Sequence, residues 1–297
     1  MHPAISLGID LGTSELKTVL MDGTGAVRGQ ASVRIDTSRP QPGWSEQSPQ
    51  HWWGACVQAL AQLRAGWPQD YAQIACIGLS GQMHGAVLLD SHDKVIRPAI
   101  LWNDARADAE AAALARDYPA YADVTGSLPM AGLTAPKLLW LQKHEPAAFA
   151  AIACLLSPKD YLRLQLTGIK LTDMSDAAGT LWLDEAARAW FPPMVAACGL
   201  RLDQLPALAE GDAATGSVLA NVADLLGLPM NVVVAAGGGD NPVSAVGIGA
   251  VNGGDSFISL GTSAAIVSVT ETPLGNPAGG VHSFCHALPG RWYAMGA

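Results

Sequence analysis

Asp10-Leu11-Gly12-Thr13-Ser14 places a carboxylate, a glycine and two hydroxyls between two apolar runs. A tight turn of Gly12, Thr13 and Ser14 can present successive N–H groups and hydroxyls to a phosphate. Asp10, at the end of the preceding run, can hold a hydrated Mg²⁺ beside those phosphates. An ordinary β-hairpin whose polar residues satisfy their own turn would look the same. The motif recurs, however, with one residue changed, as Ser259-Leu260-Gly261-Thr262-Ser263, again flanked by apolar runs. The recurrence favours the phosphate-binding reading. No G-x-x-x-x-G-K-[ST] occurs near either copy, so neither is a Walker A loop.

Two further turns could carry chemistry. Ser80-Gly81-Gln82-Met83-His84-Gly85 sets a histidine in a glycine-flanked turn, exposed enough to meet a ligand, or else a turn histidine with no role. Gly237-Gly238-Gly239-Asp240-Asn241 lets the backbone approach a ligand closely. It puts one carboxylate at a helix N-terminus, where the dipole favours the ionised form; a capping aspartate after a flexible turn is the alternative. No G-x-G-x-x-G follows the first strand, so dinucleotide binding is discounted.

The elements that must position these turns are legible in outline. Ile5, Leu7 and Ile9 alternate towards Asp10, Leu16–Met21 follows, and Asp22-Gly23-Thr24-Gly25 turns the chain into a third strand over Val27–Ile35. Ser48-Pro49 opens a helix with a capping hydroxyl and Pro at its first position, and Trp53, Cys56, Val57, Leu60 and Leu63 supply its apolar spacing. Ile74–Leu79 is a strand entering the histidine turn, and Val87–Leu89 another. Helices are expected over Asp104–Arg116, Thr134–Lys143 and Pro158–Leu166, the last closed by Gly168. Val232–Ala236 reads as a buried strand before the glycine run, with a helix starting near Asn241-Pro242. The repeated hairpin suggests duplicated domains: a first over 1–236, and a second over 237–297 that has barely begun.

Apolar residues make up 49% of the 297 and charged residues 14%, which suits a sizeable core rather than a disordered chain. A net charge of −9 without a Lys/Arg run disfavours nucleic acid and anionic membranes as partners. A nucleotide substrate remains compatible, since backbone N–H groups and a metal would hold it locally. Cys56, Cys76, Cys154, Cys198 and Cys285 are odd in number and form no C-x-x-C pair, as expected of reduced, mostly buried thiols in the cytoplasm. Met1-His2-Pro3-Ala4 runs straight into a strand with no signal-type stretch, and no run of 18 apolar residues predicts a membrane span.

The paired loops resemble those of the actin, Hsp70 and sugar-kinase superfamily, in which two similar domains grip ATP from either side. With the turns at Ser80–Gly85 and Gly237–Asn241, the chain resembles the FGGY carbohydrate kinases. Ala99-Ile100-Leu101-Trp102-Asn103-Asp104, Thr134-Ala135-Pro136-Lys137-Leu138-Leu139-Trp140, Ser157-Pro158-Lys159-Asp160-Tyr161-Leu162-Arg163, Asp173-Met174-Ser175-Asp176-Ala177-Ala178-Gly179-Thr180 and His282-Ser283-Phe284-Cys285-His286-Ala287 are similar to its bacterial xylulose-phosphorylating members. Glycerol-phosphorylating members carry Arg-Glu where this chain has Met83-His84, which argues against glycerol.

The resemblance implies an α/β fold of actin-like (ribonuclease H-like) ATPase domains, a complete first domain plus the beginning of a second. It implies ATP-dependent phosphorylation of D-xylulose to D-xylulose 5-phosphate, with Mg²⁺ as cofactor. D-xylulose and ATP are the implied partners, with no nucleic acid or membrane, and a homodimer is open to it. It assigns Met83, His84, Asp240 and Asn241 to the sugar. Asp240 is the implied base, and Asp10 is implied to serve the metal, through water, and the phosphates. Gly12, Thr13, Ser14, Gly261 and Thr262 are assigned to the nucleotide phosphates. Phosphoryl transfer asks mainly for alignment and charge neutralisation, so one aspartate of low pKa suffices to take the proton late. In that family the rest of the second domain supplies the adenosine pocket, so a chain ending at Ala297 is expected to be partial. The alternatives are another FGGY sugar or polyol kinase, an ATP-driven chaperone or filament protein of the same superfamily, or a catalytically silent fragment.

Overall fold

The computed structural model describes residues 4–260 and 264–296. Gly261 and Thr262, expected in the second phosphate loop, lie outside the described residues.

Side-chain alternation organises the first sheet. In β1 (Ile5–Leu11) Ile5, Leu7, Ile9 and Leu11 are buried, while Ser6, Gly8 and Asp10 point the other way. Successive strand side chains face opposite sides, so a core filled from the odd positions puts Asp10 on the far face. β2 (Glu15–Met21) and β3 (Val27–Arg34) complete the expected antiparallel meander. β4 (Ile74–Gly81) runs parallel to β1 on its other side. With β5 (Ala214–Ser217) and β6 (Val233–Ala235) the order is β5-β6-β4-β1-β2-β3. The glycine run adds β7 (Gly238–Gly239), also parallel to β4. The boundary expected at residue 236 thus falls just after β6, while the chain stays in this sheet through Gly239.

Helices cover the core face. α1 (Pro49–Gly66) buries Trp52, Cys56, Leu60 and Leu63 against the sheet. Trp53, rather than Trp52, was expected on this face but is only partly buried; both fit a helical period, and packing decides between them. Ser48 makes no capping bond; its hydroxyl donates to Gln50 Oε1 at 2.7 Å. α2 (Asp108–Asp117) begins later than expected. Asp104 is instead a buried loop carboxylate that accepts from Ser45 N at 2.6 Å and from Arg106 Nη2 at 2.7 Å. α3 (Thr134–His144) and α4 (Pro158–Thr167) match expectation, α4 closed by Gly168 at φ 72°.

α5 (Met174–Ala178) joins the first sheet to a second. That sheet is antiparallel, formed by β8 (Ser256–Leu260), β9 (Ala264–Thr270), β10 (His282–Cys285) and β11 (Trp292–Gly296) in the order β8-β9-β11-β10. Phe284, Trp292 and Tyr293 pack with Met174 and Ala177 of α5 in one apolar cluster. The five cysteines are free, four buried and Cys76 partly so. Among the described residues, no helix is long and apolar enough to cross a membrane.

Candidate active site

Two rows of residues end the parallel strands. Asp10 pairs with Ser80, and Ser80 with Gly238; Leu11 pairs with Gly81, and Gly81 with Gly239. Asp240 follows at once as the first residue of α6 (Asp240–Gly247). Crevices beyond the carboxyl ends of parallel strands are where open α/β sheets bind ligands. Here the paired glycines Gly8 and Gly78 leave bare backbone on the Asp10 face. A cavity of about 780 Å³ opens over them, lined also by Asp10, Ser80, Asp240 and Ser244.

The two carboxylates differ. Asp10 Oδ1 is buried without a hydrogen-bond partner, and an orphaned anionic oxygen at a cavity fits a hydrated divalent cation. Among the described residues no cluster of three or more acidic, histidine or cysteine side chains could cage a metal. A cation at Asp10 would therefore complete its shell from water and substrate oxygens. Asp240 Oδ1 accepts from Asn241 N at 2.8 Å. Burial nevertheless pushes the Asp240 pKa up to about 6, with the Asp10 charge adding to the rise. This corrects the expectation of a low pKa: one backbone N–H at the helix start does not offset desolvation.

The turn expected to meet phosphate is tightly specified. A Cβ at Gly12 would stand 2.9 Å from Glu15 O, so any side chain would open the hairpin. Thr13 Oγ1 donates to Gln82 Oε1 at 3.2 Å and accepts from Trp102 Nε1 at 3.0 Å. Its hydroxyl proton, expected to be free for a phosphate, is thus engaged. The N–H groups of Thr13 and Ser14 have no acceptor among the described residues and remain available to an anion.

The histidine turn is held from three directions. His84 adopts φ 66°, the left-handed region. Its carbonyl accepts from Lys137 Nζ at 2.7 Å and Thr134 Oγ1 at 3.2 Å. Its Nδ1 donates to Gly179 O at 2.9 Å. Burial, with the neighbouring Lys137, pushes the His84 pKa down to about 4, so the ring is neutral and its Nε2 is left as an acceptor. Expected to be exposed, His84 is largely buried, and the Phe284 ring lies 6.3 Å away, centroid to centroid. Met83 lies against Gly239, where a Cβ would come within 2.5 Å of its Sδ.

The fold therefore brings Asp10 and Asp240 to one cavity and sets Met83 beside the Gly239-Asp240 step. Gly12, Thr13, Ser14, Met83, His84 and Asn241 do not line that cavity. Sequence reasoning gave no role to Gln82, Trp102, Lys137 or Ser175. The one local signal was Lys137, a lysine on the apolar face of α3 between Ala135 and Leu138.

A mixed sheet packed by helices, with two carboxylates converging beyond its parallel strands, is the actin-like ATPase fold in its sugar-kinase form. The chain belongs to the FGGY family of carbohydrate kinases, whose N-terminal domain matches residues 5–247. It is 49% identical over 289 residues to the xylulose kinase of Escherichia coli K12, covering 97% of this chain and 59% of that protein. A crystal structure of a xyloylose kinase from Brucella ovis superposes with a TM-score of 0.96 at 49% identity, over 98% of this chain and 60% of the other. The xylulose kinase of Rhodospirillum rubrum gives 0.93 at 30% identity, over 98% and 59%. The chain thus spans about 59% of the length of the curated relatives it matches.

Proposed function

We propose that the protein transfers the γ-phosphoryl group of ATP to D-xylulose, giving D-xylulose 5-phosphate and ADP. The convergence of Asp10 and Asp240 on one cavity, beside the Met83-His84 turn, carries this reading; similarity to xylulose kinases supports it.

Asp240, with a pKa of about 6, is mostly ionised at neutral pH and takes the proton from the attacking sugar hydroxyl. Such a pKa lies close enough to working pH for the group to be a stronger base than an ordinary aspartate. Neutral His84 accepts a hydrogen bond from a sugar hydroxyl at Nε2 while Nδ1–H stays fixed on Gly179 O. Met83 supplies an apolar wall, and Asn241 a polar contact beside the base. The N–H groups of Gly12, Thr13 and Ser14 receive phosphate oxygens from one side, and Gly261 and Thr262 from the other. Asp10 would hold Mg²⁺, through water. The bound cation would neutralise charge on the β- and γ-phosphate oxygens. Hydrogen bonds to several hydroxyls discriminate between sugars more sharply than apolar contacts. Free, mostly buried thiols suit the reducing cytoplasm.

A panel of D-xylulose, ribulose, gluconate and glycerol in a coupled ADP assay tests the substrate. D-xylulose should stimulate ADP release far above the others. Preference for glycerol or gluconate would overturn the assignment while leaving the fold as described.

A further inference from the structure

Behind the carboxylate row stands a buried hydroxyl with two partners. Ser175 Oγ accepts from Gly239 N at 2.9 Å and donates to Asp173 Oδ2 at 2.5 Å. Asp173 Oδ2 also caps α5 by accepting from Ser175 N at 2.7 Å. Asp173 Oδ1 lies 2.8 Å from Lys159 Nζ, which reaches Asp160 at 2.6 Å and Asp176 at 3.0 Å. All five side chains are buried. A single ammonium therefore anchors, through Asp173 and Ser175, the peptide N–H one residue before Asp240.

Strand pairing with Ser80 and Gly81 of β4 holds Gly238 and Gly239 from one side, and the Ser175 hydroxyl holds the Gly239 N–H from the other. Among the described residues the Asp240 carboxylate accepts from the Asn241 N–H alone, so its direction follows the backbone at 239–240. A hydroxyl alone among small side chains both accepts from an amide and donates to a carboxylate. Alanine at this position would leave the buried Gly239 N–H without an acceptor.

We propose that Ser175 is a positioning residue for Asp240: its hydroxyl pins the Gly239 N–H and so sets where the Asp240 carboxylate meets the acceptor hydroxyl. The inference rests on the reading of Asp240 as the base.

The test compares wild type, Ser175→Ala, Ser175→Thr, Asp240→Asn and Thr167→Val in the purified protein with ATP and D-xylulose. Ser175→Ala should lower kcat by ~10- to 10²-fold, the scale of a small misplacement of a reacting group, with KM for ATP within about twofold of wild type. Ser175→Thr overpacks the site and should melt earlier, yet it keeps the hydroxyl and should hold kcat within about threefold. Thr167, also a buried residue, lies on α4 with its hydroxyl bonded, among the described residues, to the backbone of Arg163 and Ile169; its substitution should lower the melting temperature without touching kcat. The Gly239 amide proton, followed by NMR exchange, should exchange about tenfold faster or more in Ser175→Ala, because its hydrogen bond is gone. Wild-type kcat in Ser175→Ala, or unchanged Gly239 exchange, would overturn the inference. Wild-type turnover in Asp240→Asn would instead overturn the base assignment, with Gly239 exchange still deciding whether Ser175 pins that peptide.

Discussion

Thr13 and Gln82 lock the phosphate turn to the histidine turn: Thr13 Oγ1 donates to Gln82 Oε1 at 3.2 Å, and Gln82 N donates to Leu11 O at 2.8 Å. Gln82 Nε2 continues to Gln47 Oε1 at 3.0 Å, and Gln47 Nε2 returns to Thr13 O at 2.7 Å. Trp52 Nε1 also donates to Gln47 Oε1, at 2.8 Å. The ring is closed, with Gln47 and Gln82 buried and Thr13 partly so, and the two turns are held as one unit.

Gln82→Leu breaks that ring and strands the polar groups of Thr13 and Gln47. A loss of about 1–3 kcal/mol in stability is expected, the cost of buried groups left unpaired. The KM for ATP and the KM for sugar should rise together. Thermal denaturation and steady-state kinetics check this; a rise confined to one substrate would show that the turns move independently.

Asp240→Ala should cut kcat by at least ~10²-fold, the usual scale for a positioned base. Nucleotide affinity, measured by calorimetry, should stay close to wild type. Near-normal turnover would leave Asp240 as no more than the first residue of α6.

The pH dependence has a definite sign. A base must be ionised to accept a proton, and Asp240 titrates at about 6. kcat/KM for sugar should be flat above neutrality and fall as pH drops through about 6. His84, at about 4, stays neutral throughout that window and adds no second limb there. A profile flat down to pH 5 would contradict the raised Asp240 pKa.

Lys137→Met keeps the length of the side chain but removes the donor to the His84 carbonyl, leaving Thr134 alone to hold it. Burial already pushes Lys137 down to about 7, so its charge is costly to keep in place. A hydrogen bond from a charged donor contributes about 1.5–3 kcal/mol, so KM for sugar should rise roughly tenfold or more, with KM for ATP unaffected. An unchanged sugar KM would remove the clamp from the account of specificity.

Lys159→Met leaves Asp160, Asp173 and Asp176 without their shared cation. Burial already raises Asp160 and Asp176, against the attraction of Lys159. Removing one partner of a buried ionic cluster costs about 3–5 kcal/mol, so the variant should melt far below wild type in a thermal scan at pH 7. A melting temperature within a few degrees of wild type would show that the carboxylates find other compensation.

Much of this was legible without coordinates, for a local reason. The alternation of Ile5, Leu7, Ile9 and Leu11 both makes β1 and turns Asp10 away from the core. Ser157-Pro158 with Gly168 bounded α4. These signals lie within a few residues of the position they predict. Trp52 and Trp53 mark where such signals stop, since neighbouring residues on a helix fit the period almost equally well.

Tertiary structure decided what depends on segments distant in sequence. Ser175 meets Gly239 across 64 positions and Lys137 meets His84 across 53, and no periodicity encodes such pairings. The direction of the Asp240 pKa belongs to the same class. Its sequence neighbours predict a helix N-terminus that favours the charge, while the surroundings that withhold water come from elsewhere in the fold, and desolvation outweighs one N–H. The sequence by itself determined the strands, the turns and which residues to propose as the reacting groups. Their protonation, and the partners that hold them in place, were decided by packing, because burial is a property of everything around a residue.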